Sequence, residues 1–119
     1  MKLSELYTAD IHEDGAEINI VNPVTGKKSD VFIKVRGPDS KVFRDAILEL
    51  NRKQLTDDQA SMVKVLAKST IGWRGLVEDD GKTPVEFSPE LALTIYEKSP
   101  DIANQVMTFI SERQNFTKG

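Results

Sequence analysis

His12 is the side chain of this sequence that is best suited to acid–base or metal chemistry, and it is the only histidine. Two carboxylates, Glu13 and Asp14, follow it directly. A zinc site needs three or four ligands of this kind, and a catalytic imidazole needs partner groups that orient it. No such set surrounds His12, so we expect an exposed loop histidine with no catalytic or metal-binding role.

A second group of residues that could do chemistry is the acidic run Glu78–Asp80, with Glu86 six residues after Asp80. Paired carboxylates can transfer protons or bind calcium, but an EF-hand loop needs oxygen ligands at alternate positions and a distal glutamate across twelve residues. The run lacks that spacing, and its carboxylates stand next to Gly81, which is typical of a tight turn. The pattern therefore predicts a solvated turn.

Phosphate binding and thiol chemistry are also disfavoured. The segment Gly26–Ser29 is the nearest approach to a phosphate-binding loop, but it follows Asn22–Thr25, which is typical of a turn between strands and not of a helix start. The chain has no cysteine, which excludes a thiol nucleophile, a disulfide and a thiolate metal site. We expect a protein that is not an enzyme and that needs no cofactor.

The composition is typical of one globular domain. The 119 residues include 16 Lys and Arg against 19 Asp and Glu, a net charge of −3, and 39% are hydrophobic. A chain of this length can bury about two thirds of its surface without help from a disulfide or a metal. The apolar runs are far shorter than the roughly 18 residues of a membrane span, and Met1–Leu6 lacks the charge order of a secretion signal. We expect no membrane association.

Alternating apolar and polar side chains predict two strands, Glu17–Asn22 and Val31–Val35, joined by a turn. The second strand would direct Val31, Ile33 and Val35 to the core and Phe32 to the outer side. Since a two-stranded hairpin alone is marginal, either Met1–Ile11 supplies a third strand or a helix covers one face.

Helix signals follow from Gly37 onward. Asp39 or Ser40 can cap a helix to about Lys53, Thr56 can cap a second one that ends near Gly72, and the Ser-Pro pairs at 88–89 and 99–100 begin two more. The segment between, from 72 to 87, is expected to be a loop with a short extended pair, and the tail from Asn115 is expected to fray, with Phe116 as its only anchor. The predicted fold is a single α+β domain: an N-terminal β-hairpin or small antiparallel sheet (1–37) followed by about four helices (38–119).

Large side chains outside the helical stripes are the candidates for protein contact. Trp73 has a competing interpretation, in which the ring covers the junction between helices. The candidates are Phe32, Trp73, Arg74, Phe87 and Phe116.

A basic excess between Lys27 and Lys53, eight cations against four acids, raises the alternative of a small nucleic-acid-binding regulator. The charges alternate with the core face of a strand and interleave in sign along a helix, which is typical of a solvated face. Nucleic acid is therefore the less favoured partner.

The sequence from about Val31 onward resembles the tail assembly chaperones of long-tailed bacteriophages. The likeness depends on the order and spacing of several short motifs: Gly37-Pro38-Asp39-Ser40-x-x-Phe43, Gly72-Trp73-x-Gly75-Leu76, the Asp80-Gly81 turn, Val85-x-Phe87-Ser88-Pro89-Glu90, a break at Pro100, Ile102-Ala103-x-Gln105-Val106 and Arg113-x-Asn115-Phe116.

This resemblance implies a role in binding other proteins. Members of the family bind the long, helical tape-measure protein in the host bacterial cytoplasm, keep it soluble and help to recruit tail-tube protein, and they are absent from the mature virion. Many have a longer form made by a frameshift, and this chain would be the short form. A small domain with exposed apolar residues suits such a client, and weak self-association along a long client is expected.

Overall fold

The alternating segments form the hairpin that the sequence predicts. In a computed structural model, which describes residues 1–55 and 58–117, β1 (Ala16–Val21) pairs antiparallel with β2 (Lys28–Val35). Asn22 accepts hydrogen bonds from the amides of Val24 (2.8 Å) and Thr25 (3.3 Å) and so closes the turn. Ile33 and Val35 are buried, as expected for the core face.

The third strand comes from the helical half of the chain. β3 (Thr70–Arg74) pairs antiparallel with β2, giving the order β1-β2-β3. The prediction of a loop from Gly72 is therefore wrong for Gly72–Arg74, and so is the idea that Met1–Ile11 supplies a strand. The β propensity of these residues did not reveal β3 in the sequence. The five residues follow a helix directly, and their pairing with β2 holds them in a strand.

The N-terminal segment is helical. A 3₁₀ helix, Leu3–Leu6, precedes α1 (Ala9–Asp14), which ends at Gly15 with φ 81°. Thus the segment 1–37, expected to be β-rich, also contains helix, and the sheet takes its third strand from the segment 38–119.

The remaining helices begin at the capping residues that the sequence predicts, with one change. Ser40, Ser88 and Ser99 accept hydrogen bonds from amides in the first turns of α2, α4 and α5. α3 is capped by Asp58, whose carboxylate accepts from the amide of Ser61 at 3.2 Å. The predicted cap Thr56 lies outside the described residues. The helices are α2 (Lys41–Lys53), α3 (Gln59–Ser69), α4 (Pro89–Lys98), α5 (Pro100–Ser111) and α6 (Gln114–Thr117).

Three helices, α3, α4 and α5, pack against the inner face of the sheet, and α2 packs on α3. The core is centred on Val35, Leu66, Tyr96, Val106 and Ile110, each almost fully buried. The α+β prediction is confirmed. Among the described residues, no helix combines the length and the apolar character needed to cross a bilayer.

The C-terminal tail is ordered where fraying is predicted. α6 packs against α1, and Phe116 is only 5% exposed. Its ring lies 5.6 Å from that of Phe109 and 5.2 Å from that of His12, centroid to centroid. The tail is therefore held by burial of one aromatic side chain, that of Phe116, between α1 and α5.

Candidate functional site

An apolar cleft of about 250 Å³ opens beside the turn end of the hairpin. The inner face of the sheet forms one side, and α4 and α5 form the other. Eight of its ten lining residues are apolar, and those that matter most below are Ile20, Pro23, Trp73, Leu76, Ile95 and Ile102.

Strand register places Trp73 in the wall of this cleft. Ile33 lies opposite Trp73 on one side and opposite Ile18 on the other, so that all three point to the inner face. The indole Nε1 donates to the carbonyl oxygen of Val85 at 2.8 Å, and the ring meets Phe87 edge to face at 4.9 Å. With its polar atom bonded and one ring edge packed, Trp73 is a rigid apolar surface.

The two polar residues in the lining are engaged within the chain. The Ser29 hydroxyl donates to the carbonyl oxygen of Ile20 at 2.6 Å and accepts from the amide of Val31 at 3.1 Å. Asn22 holds the hairpin turn through its side-chain oxygen. Small-molecule sites are usually larger, roughly 300 to 1,000 Å³, and carry polar groups that orient the ligand. This cleft is smaller than such sites, and most of its lining is apolar.

The acidic turn next to the cleft is structural, as predicted. Asp80 accepts hydrogen bonds from the amides of Lys82 and Thr83, both at 2.8 Å, and from the Thr83 hydroxyl at 2.5 Å. These hydrogen bonds hold the pKa of Asp80 below its usual value, and the bond from the Thr83 hydroxyl has the largest effect. Val77 bridges to Pro84, which is the short extended pair that the sequence predicts. The turn fixes the loop that carries Leu76.

The five candidate contact residues do not form one surface. Trp73 and Phe87 lie together on the inner side, whereas Phe32 and Arg74 lie on the outer face of the sheet. There the Arg74 guanidinium stacks over the Phe32 ring at 3.9 Å, and its Nε donates to Glu17 at 2.9 Å.

Phe116 is buried in the core, so the expectation that it offers contact surface is wrong in this structure. The reason is that α6 turns its ring inward between His12 and Phe109.

The prediction that His12 is exposed in a loop is also wrong, because the side chain is fully buried and the residue lies in α1. Its Nδ1 accepts from the amide of Asp39 at 2.8 Å. Burial lowers the pKa of His12 below the usual 6.5, Asp39 partly opposes this, and Arg113 adds to it. Within the described residues, no group of three or more His, Cys, Asp or Glu side chains is placed to hold a metal ion.

Leu76, Ile95 and Ile102 belong to the cleft but were not candidates. Ile95 and Ile102 lie on predicted apolar helix stripes, which indicate core, and only the tertiary structure shows that they also border an opening. Leu76 follows Gly75, whose φ of 83° and close approach to the Asp30 carbonyl oxygen turn the chain toward the cleft.

Salt bridges neutralise part of the positive charge of the basic stretch 27–53. Arg36 pairs with Glu13 at 3.5 Å, and along α2 Lys41 pairs with Asp45 at 2.6 Å and Lys53 with Glu49 at 3.0 Å. Partial neutralisation of this kind is typical of a solvated helix face.

Comparison with known proteins adds one match. The family model described as YdaY prophage protein matches residues 39–119, which is more than half of the chain. Searches of the curated proteins and of the solved structures found no match. The matched range contains β3 and all helices from α2 onward, and the cleft takes its other wall from the preceding hairpin. The chain belongs to the YdaY prophage protein family.

Proposed function

We propose that this protein is a phage tail assembly chaperone, which binds the tape-measure protein, keeps it soluble and promotes assembly of the tail tube. Membership of a prophage protein family supports a role in phage biology. The observation that carries the proposal is the apolar cleft, with Trp73 as a rigid wall and with the Ser29 hydroxyl and the Asn22 side-chain oxygen engaged within the chain.

The cleft suits a helical client. An amphipathic helix presents apolar side chains at intervals of three and four residues, and a groove that accepts one or two of them binds weakly. A client with many such turns recruits many copies, and the combined affinity then exceeds that of one contact. In this role the protein acts in the host cytoplasm and leaves before the virion is complete.

Weak self-association and contact with the tail-tube protein are included in the same proposal. The N-terminal segment offers apolar surface for such contacts, since Leu3 is 66%, Leu6 58% and Tyr7 64% exposed.

Co-expression with the tape-measure protein of the same prophage tests the proposal. We expect that protein to be insoluble alone and to co-purify with this chain. Leu76→Gln, which makes the cleft wall polar, should reduce the recovered complex about tenfold or more, a loss of roughly 1.4 kcal/mol.

Leu48→Gln is the matched control, because Leu48 is 65% exposed on α2 and lies outside the cleft lining. It should leave recovery unchanged. Equal recovery with both variants would contradict the cleft as the site, and a tape-measure protein that never co-purifies would contradict the function.

Salt separates this function from nucleic-acid binding through the 27–53 face. Phosphate contacts weaken by orders of magnitude between about 50 and 200 mM salt, because binding releases counterions. Apolar client binding should persist over that range. Capture of duplex DNA that disappears with salt, without capture of the client, would support the regulator instead.

A further inference from the structure

His12 joins three separate regions of the chain in a buried position. Its own helix α1 lies on one side, the corner between β2 and α2 on a second, and α6 on a third. The carbonyl oxygen of His12 accepts from the amide of Gly37 at 2.9 Å, and the imidazole lies against Phe116. Gly37 allows this approach, because a Cβ there would lie 2.5 Å from Nδ1.

The imidazole must be neutral for this arrangement. Its Nδ1 accepts the amide proton of Asp39 at 2.8 Å, which places the ring proton on Nε2. Nε2 has no hydrogen-bond partner among the described residues, and the nearest carboxylate oxygen, Oδ2 of Asp39, is 3.7 Å away. Protonation would put a second N–H against the amide of Asp39 and would leave a buried cation without a close acceptor.

The charged groups around the ring are already engaged. The Asp39 carboxylate accepts from the Thr8 hydroxyl at 2.5 Å and from Arg113 Nε at 3.1 Å. Glu13, on the same helix as His12, pairs with Arg36 at 3.5 Å and accepts from the amide of Lys41. Asp39 could therefore stabilise an imidazolium only by giving up some of its present bonding, and Arg113 would repel the new charge.

We propose that neutral His12 latches both ends of the chain onto the β2–α2 corner, and that its protonation in mildly acidic solution releases residues 1–14 together with α6. Release would expose Phe116 and the surface that it covers, while the sheet with α2 to α5 remains folded. The device is independent of the client cleft, because none of the latch residues lines the cleft.

Nuclear magnetic resonance of the whole chain tests the latch without any substitution. Because His12 is the only histidine, its ring nitrogens can be assigned directly, and near pH 7.5 we expect the Nε2–H tautomer. Between about pH 6.5 and pH 5, hydrogen-exchange protection at Gly37, Asp39 and Phe116 should fall about tenfold or more, while Leu66 stays protected. Simultaneous loss at Leu66, or a titration that leaves the Asp39 amide unchanged, would overturn the proposal.

Two variants separate the titration from the packing. His12→Asn keeps a side-chain oxygen near the position of Nδ1 but does not titrate, so it should abolish the acid-dependent step. Asp10→Asn alters an exposed carboxylate on the same helix and should leave the step in place. Persistence of the step in His12→Asn would overturn the latch, and if that variant does not fold, the wild-type exchange profile alone decides.

Discussion

Gln105 on α5 binds both backbone groups of Val21 at the edge of β1. Its Oε1 accepts from the Val21 amide and its Nε2 donates to the Val21 carbonyl oxygen, each at 2.8 Å. At Val21 the Gln105 side chain thus makes the two backbone hydrogen bonds that a further strand would make, and it links α5 to the sheet.

Gln105→Glu should therefore destabilise the protein by about 1 to 3 kcal/mol, because a carboxylate cannot donate to the Val21 carbonyl oxygen and would repel it. It would also face Asp101, to which Nε2 now donates at 2.9 Å. Urea unfolding monitored by circular dichroism gives the free energy. The control Asn104→Asp changes an exposed amide on the same helix, and equal losses in the two variants would contradict the role of Gln105.

Gly37→Ala should cost about 1 to 3 kcal/mol, the usual range for overpacking a filled space. The added methyl would meet the ring of His12 at 2.5 Å and that of Phe116 at 2.9 Å. Gly72→Ala is the control, because a Cβ on Gly72 meets nothing within 4 Å. Thermal unfolding of both variants provides the measurement, and a Gly37→Ala protein as stable as Gly72→Ala would show that the corner is loosely packed.

Tyr96 should make the protein sensitive to strong base. Burial raises the pKa of Tyr96 to about 12, although a hydrogen bond with the Thr70 hydroxyl (2.7 Å) partly lowers it. A pKa raised by folding means that this stability is complete below the ordinary value near 10 and is lost as the pH rises toward 12. Tyr96→Phe should lose about 0.5 to 1.5 kcal/mol at neutral pH and show a weaker decline in unfolding free energy above pH 10. An identical alkaline decline in both proteins would contradict this account.

The ion pair of Arg74 with Glu17 on the outer face of the sheet should contribute little to stability. Both side chains are exposed, and such pairs are worth about 0.2 to 1 kcal/mol. Glu17→Gln should fall in that range in dilute buffer and approach zero in high salt, as measured by urea unfolding. Glu86→Gln, at another exposed carboxylate, is the control. A large loss that salt does not reduce would contradict this account of the ion pair.

Sequence patterns predicted the features of this fold that depend on neighbouring residues. The hairpin, the caps Ser40, Ser88 and Ser99 and the Asp80 turn are all local, and all are confirmed. The errors concern side chains whose environment comes from far along the chain. His12 is buried because Gly37 admits it, and Phe116 because α1 and α5 cover it.

The candidate site, too, could be predicted from the sequence only where local residue type was enough. Trp73 stood out by its residue type, but its place in a strand depends on pairing with β2, which no periodicity in Gly72–Val77 reveals. Ile95 and Ile102 were predicted to be core because a stripe cannot show where packing leaves an opening. Residue type alone made Trp73 a candidate, and only the tertiary arrangement identified the cleft.

Because β3 lies between α3 and α4 along the chain, the sheet and the helices depend on each other for their stability. The hairpin can complete its sheet only with a strand that the helical half supplies, and that strand keeps its shape only while paired to the hairpin. Neither half is an autonomous cooperative unit, so β1 to β3 and α2 to α5 should melt in one calorimetric transition.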